Sequence, residues 1–422
     1  MKVTPLVTFG RWRSAKTTVA QLAAKAAQLD APITITPAAL QQRMTARAVA
    51  FLQEVLQTAF AMLHAVGSVC EDGLFAAFGR VHLADSTGVG LPASLQADFP
   101  GAGGSGSKAG ATIQLVWDYK SQTFEHFALI PWNVPDNKYI ETVVKLAQPH
   151  SLVVFDLGYF KLAAFAQIAA VQAYFLSRCN PQTALWEIVG GRTQPLDLPR
   201  CLRQDTRALL EKAVLLGTRD RVEARLIAVR MPEGIVNERR RQARAVAKKR
   251  GYTPSQTHLT LLAWNLFITN VPATVWPPQT VGIVYSLRWQ VELVFRTWKS
   301  GMHLASVTTT TKHSTLCYLY GRMLLILLTS ALGSPLRVML WQQQREVSLL
   351  KLVRHFQASA EQWLQALFQS VAQLTRFLSR ACVAATRLVR KDLRKRRTTA
   401  QCVRESLGTR VDFFEPVLAL AA

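Results

Sequence analysis

The spacing of apolar residues changes several times along this chain, and each change marks a new kind of element. Thr18–Gln28 repeats them at helical intervals, Leu29–Thr34 breaks at Pro32, and Thr36-Pro37 opens a second helical run through Leu56, with Thr36 as N-cap and Pro37 at the first helical position. From about Phe75 the period shortens to that of strands. Arg80–Asp85 is an apolar strand ending in an acid, followed by the loop Ser86-Thr87-Gly88. Pro100–Ser107, rich in Gly and Ser, reads as a flexible loop, and Ala111–Asp118 with Thr123–Ile130 reads as a hairpin. A helix over Lys138–Leu146 precedes a second acid-terminated strand, Ser151–Asp156. Gly158 then allows a turn into a helix from about Phe160, and Ala173–Ser177 is a further strand. This β-β-β-α-β-α-β order predicts a mixed sheet with helices packed on it.

Residues 179–278 interrupt that pattern with strand-like runs at Val222–Val229 and His258–Thr269, on either side of the basic segment Arg239–Arg250. Pro277-Pro278 marks a boundary, after which the chain is helical. The expected organisation is a helical N-terminal region over 1–74, the first part of a catalytic core over 75–178, a β-rich insertion over 179–278, the end of the core over 279–332 and a helical basic region over 333–422. Helices 18–28 and 36–56 admit a helix-turn-helix reader of DNA, or simply a packing unit.

Composition narrows the partners. Fifty Lys and Arg against 26 Asp and Glu give a net charge of +24, which attracts a polyanion; nucleic acid leads, with an anionic membrane surface second. The run Met323–Leu328 is far shorter than the ~20 residues of a spanning helix and reads as a buried helix. No signal peptide is evident at the N-terminus, and the six cysteines show no CxxC pair or paired His spacing, which points to reduced cytosolic thiols and no zinc site.

The segment Tyr285–Lys299 carries the candidate chemistry. At about 100° per residue, Tyr285, Arg288, Glu292, Arg296 and Lys299 fall within roughly 40° of one line, beside an apolar stripe of Val284, Leu287, Val291, Val294, Phe295 and Trp298. A solvated face of i,i+4 ion pairs is the plain reading. A single acid among three bases and a phenol instead suits a metal ligand flanked by phosphate-binding groups. Asp85 and Asp156 each end an apolar strand, where ordinary turn residues are common, but where sites also form in sheets with parallel strands. With Glu292 on a covering helix, the three carboxylates would need cations, and two Mg²⁺ ions ~3.5–4 Å apart would neutralise them and align a phosphoryl displacement.

The spacing Tyr285-x2-Arg288-x3-Glu292-x6-Lys299 resembles the Tyr-Arg-Glu-Lys signature of the IS-four group of bacterial insertion-sequence transposases, DDE enzymes with an RNase H-like core. Asp85-Ser86-Thr87-Gly88-Val89-Gly90-Leu91-Pro92 resembles that group's first-aspartate motif and Asp156-Leu157-Gly158-Tyr159-Phe160 its second, with residues 179–278 in the place of its β-rich insertion. The resemblance implies an RNase H-like mixed α/β sheet with flanking helices, holding two Mg²⁺, or Mn²⁺ in their place, on Asp85, Asp156 and Glu292. Tyr285, Arg288 and Lys299 would grip phosphates, and Arg296 together with Arg240, Arg244 and Lys248 of the basic segment are further candidate DNA contacts. It also implies cut-and-paste transposition: hydrolysis at the element's ends, hairpin formation and opening, and strand transfer. The partners would be the terminal inverted repeats and target DNA, bound by a homodimer in the bacterial cytoplasm at the nucleoid, with no membrane. Trp264 is the nearest counterpart of a base-stacking tryptophan in related insertions, but it is offset by one position, which on a strand can reverse its face; core packing is the other reading. The family's region matching Val3–Ala24 follows a few dozen residues that this sequence lacks, so a shortened DNA-binding region is expected. The competing readings are a non-catalytic DNA-binding remnant or inhibitor, and an RNase H-like nuclease unrelated to transposition.

Overall fold

The computed structural model describes residues 35–63 and 73–391, apart from 104–106, 122, 308, 343–344, 360–361 and 363–369, with a few residues between 20 and 24. The helix expected over 18–28 and the basic tail beyond Lys391 fall largely outside these residues. In chain order the elements are α1 (Pro37–Gln42), α2 (Ala46–Leu63), β1 (Val81–Leu91), β2 (Ala109–Asp118), β3 (Thr123–Pro131), α3 (Ile140–Lys145), β4 (Leu152–Phe155), α4 (Leu162–Ala170), β5 (Tyr174–Arg178), β6 (Leu185–Val189) and β7 (Arg192–Pro195). They continue as α5 (Leu198–Gln204), β8 (Leu209–Leu216), β9 (Val222–Arg230), α6 (Glu233–Lys249), α7 (Gln256–Leu261), β10 (Trp264–Thr269), α8 (Pro278–Ser286), α9 (Trp289–Arg296), α10 (Lys312–Gln342), α11 (Leu349–Ala358) and α12 (Val371–Leu388).

The chain divides into two units, and the division falls inside β1, between Asp85 and Ser86, and inside α9, between Val291 and Glu292. One unit contains Cys70–Asp85 and Pro135–Val291. Its strands run in the order β1-β4-β5-β10-β9-β8-β6-β7, with β1, β4 and β5 parallel and every later pair antiparallel. Helices such as α4 lie against this mixed sheet, the architecture expected of an RNase H-like core. Phe75, Phe78, Tyr174 and Trp276 form an aromatic core, and Trp276 satisfies its buried indole N–H on Leu74 O at 2.8 Å. The β6–β7 hairpin turns on Gly190-Gly191, both at positive φ (58° and 76°), the two-residue geometry that matches strand twist.

The other unit contains the N-terminal helices, Ser86–Val134 and the chain from Glu292. Thr36 caps α1, its hydroxyl accepting from Ala39 N–H at 3.2 Å with Pro37 at the first helical position, as the sequence predicts. The second helical run does not continue unbroken: it stops at Arg43 and restarts as α2, whose Gln53 donates to the Tyr320 hydroxyl of α10. The run Met323–Leu328 lies within α10, and two thirds (67%) of the apolar window around it is buried inside the protein. β2 is buried along its whole length and pairs with β3, confirming the hairpin. Trp298 packs against Phe124, Phe127 and Phe295.

The expected loop Ser86-Thr87-Gly88 is instead part of strand β1. Trp132 explains its glycine, because a Cβ on Gly88 would lie 2.8 Å from the indole, and one on Gly110 of β2 only 2.1 Å from it. Glycine inside these strands therefore marks close approach rather than a turn. The strand expected over His258–Thr269 is half helix: Ser255 caps α7, and only Trp264–Thr269 is extended.

Candidate active site

The parallel strands place the first charges. Val81 to Ala84 of β1 face Leu152 to Phe155 of β4, which face Tyr174 to Ser177 of β5. One residue further along each strand stand Asp85, Asp156 and Arg178. Asp156 and Arg178 stand at the carboxyl ends of β4 and β5, whereas Asp85, expected to end its strand, lies within β1, which continues to Leu91; the two acids and the base still share one level across three neighbouring strands.

The helix expected to run unbroken from Tyr285 to Lys299 does not do so. α8 ends at Ser286, Leu287 and Arg288 form a turn, α9 begins at Trp289, and Thr297–Gly301 widens into a π-helical turn. The single line of polar residues is therefore broken at both ends, since π turns advance fewer degrees per residue than α turns. The break has a consequence at Arg288, which is 9% exposed. Its Nη1 donates to Asp85 Oδ2 at 2.8 Å, and its Nε lies 3.7 Å from Asp156 Oδ1. Tyr285 donates its hydroxyl to the same Asp156 oxygen at 3.2 Å. Two aspartates on adjacent strands repel one another in a partly desolvated place, and the guanidinium offsets that repulsion. Burial first, and then the Asp156 charge, push the Tyr285 hydroxyl up from its ordinary value, with Arg288 and Arg178 acting the other way.

The next strand adds an arginine pair. Phe267 of β10 faces Arg178 in antiparallel register, and Asn265, two residues away, points to the same side. Arg178 Nη2 donates to Asn265 Oδ1 at 3.1 Å, and Arg239 Nη2 of α6 donates to that same oxygen at 3.1 Å. The Phe267 ring lies 5.1 Å from that of Tyr285, so this is the face of β10 that meets the site. Trp264 is one residue out of step and points to the opposite face. It is 4% exposed, and its ring is covered by the guanidinium of Arg230, its register partner, at 4.5 Å. This burial is what the core-packing reading of Trp264 expects.

Glu292 sits half-buried in the first turn of α9, in the other unit from the two aspartates. Arg296 is exposed, and Lys299 is partly buried in the π turn, where desolvation lowers its ammonium below the ordinary value. In α6, Arg240 is tied to the chain through Leu259 O at 3.3 Å, whereas Arg244 and Lys248 are exposed. Among the described residues no group of three or more His, Cys, Asp or Glu side chains is gathered as a metal site. Asp85 and Asp156 do converge on one cation, and their oxygens are the hard donors that a divalent ion takes, so the donor set fits the expected metal chemistry. Sequence reading missed Arg178, Arg239 and Asn265. The signal for Arg178 was available: like Asp85 and Asp156, it is the first charge after an apolar strand. Nothing local distinguished Arg239 within its basic run.

Comparison with known proteins identifies the family. Residues 76–328 match the family described as the transposase DDE domain. The transposase for insertion sequence element IS231B of Bacillus thuringiensis subsp. berliner is 27% identical over 412 residues, covering 93% of this chain and 86% of that protein. The transposase for IS1151 of Clostridium perfringens is 26% identical over 339 residues, covering 75% and 72%. A piggyBac transposase synaptic complex with hairpin DNA aligns with 77% of this chain and 60% of its own, at a TM-score of 0.39 and 12% identity. The match covers well over half the sequence, and this chain belongs to the DDE-domain transposases, enzymes that cleave and join DNA.

Proposed function

We propose that this transposase moves an insertion sequence by cutting and pasting, with Asp85, Asp156 and Glu292 as its acidic set. The observation that carries the reading is the pair of aspartates at equivalent positions on adjacent parallel strands, both facing one buried guanidinium. Two Mg²⁺ ions, held by these three carboxylates, would supply charge neutralisation and activation of the attacking oxygen. Tyr285 and Arg288 orient Asp156 and Asp85 and stand where a phosphate approaching them would be gripped. Arg296 and Lys299 supply further cations about one and two turns beyond Glu292.

The reaction begins with water displacing the 3′-oxygen of the element's end from its phosphate. The freed 3′-hydroxyl then attacks the opposite strand, forming a hairpin and releasing the flanking 3′-hydroxyl. Hydrolysis of the hairpin restores the terminal hydroxyl, which displaces a 3′-oxygen in target DNA. A homodimer holding both ends, in the bacterial cytoplasm where chromosomal DNA is accessible, completes the proposal. Replacing Asp85, Asp156 or Glu292 with Ala is expected to abolish cleavage of a duplex carrying the element's end while leaving binding largely intact. Parallel loss of binding and cleavage would overturn this division of roles.

A further inference from the structure

We infer that Arg178 and Arg239, bracketing Asn265, form a binding site for one DNA phosphate beside the paired aspartates. Both guanidinia direct an N–H at the same amide oxygen, each at 3.1 Å, although that oxygen is neutral and its residue only 1% exposed. Arg239 has one other partner, Leu262 O at 3.4 Å, and neither arginine is paired with a carboxylate among the described residues. Two like charges drawn to one uncharged acceptor repel, and the remaining N–H groups of both forks are left for something else. The side chain of Asn265 accordingly serves as a spacer that fixes the two planes. Desolvation first, and then the charge of Arg178, lower the Arg239 guanidinium below its ordinary value, as expected for uncompensated positive charge.

An anion with several oxygens satisfies both forks, and a phosphodiester is the form that the surroundings select. Arg178 stands level with Asp85 and Asp156 on the adjoining strand, so a strand of DNA whose reacting phosphate lies at the aspartates runs past it. Both arginines remain partly accessible to solvent. The other side of β10, with Trp264 closed under Arg230, offers no such opening.

The inference rests on the reading of Asp85 and Asp156 as the cleavage site, and its test separates the two. Affinity of the full chain for a labelled random-sequence duplex is measured by anisotropy across a salt series for wild type, Arg178→Gln, Arg239→Gln, the double variant and Asn265→Asp. Each phosphate contact contributes about 0.9 to the slope of log affinity against log salt. The double variant is expected to lose about one unit, not two, because one phosphate is shared. Between 50 and 200 mM salt its affinity then falls roughly three- to fourfold less than that of wild type. Asn265→Asp, which fills the site from within by a carboxylate, is expected to lose the same unit without lowering the unfolding midpoint, and so remains informative if an arginine variant folds poorly. Unchanged slopes overturn the site, and a two-unit loss in the double variant overturns the sharing. Cleavage by Asp85→Asn on end DNA is scored in parallel: its persistence overturns the catalytic reading, whereas its loss beside unchanged slopes overturns the phosphate site alone.

Discussion

Removing the Arg288 guanidinium tests the charge balance of the site more directly than an activity assay can. Arg288 and Asp85 are bonded at 2.8 Å with side chains only 11% and 12% exposed, so Arg288→Met leaves a buried carboxylate without the guanidinium bonded to it. Breaking a buried pair from one side costs about 3–5 kcal/mol. The second contact, 3.7 Å from an Asp156 that is 40% exposed, adds only a few tenths of that, roughly 0.2–1 kcal/mol. Most of the penalty is the stranded charge rather than the lost bond. Adding Asp85→Asn to Arg288→Met is therefore expected to restore stability, so that the double variant is more stable than Arg288→Met alone by about 1–3 kcal/mol. Urea unfolding in chelating buffer, with hydrogen exchange of peptides covering β1 and β4, reads the unit that carries the pair. A double variant less stable than Arg288→Met would refute the reasoning, because it would mean that Asp85 is held by other partners and gains little from the arginine.

Gly110→Ala is expected to cost about 1–3 kcal/mol through overpacking, since the new methyl would meet the Trp132 ring at 2.1 Å; thermal unfolding of that variant with and without Trp132→Leu checks it, and no rescue by the smaller side chain would count against the contact. Burial lowers the His126 and His355 imidazoles from 6.5, so the unfolded chain takes up protons first: their contribution is complete above about pH 6.5 and is lost as pH falls from there toward the folded-state values. Replacing His126 with Gln should flatten the decline of stability between pH 7 and 5. Neutralising exposed Arg244 and Lys248 should reduce the salt dependence of duplex binding by up to about 2 units of slope with little change in unfolding, whereas Arg240→Gln, which loses its bond to Leu259 O, should mainly affect stability.

The sequence determined the elements whose cause is local. Alternation defined the β2–β3 hairpin, Thr36-Pro37 defined the start of α1, and an apolar run ending in an acid located Asp156 at its strand end, whereas β1 runs on past Asp85 to Leu91. The four residues and three spacings from Tyr285 to Lys299 were sufficient to indicate the family that residues 76–328 match. Tertiary structure decided what depends on partners distant in sequence. Gly88 belongs to a strand because Trp132 arrives from 44 residues away, and no local rule distinguishes such a glycine from one in a turn. The helical line through Arg288 is interrupted there, and the arginine is drawn to two aspartates more than a hundred residues earlier, a preference of charge over regular helix geometry. The face of Trp264 was undecidable from composition because a strand's side chains alternate, and only the pairing of β10 with β5 and β9 fixes which residues point toward the site. The same pairing set Asn265 between Arg178 and Arg239, whose sequence separation hides a relation that only the sheet creates.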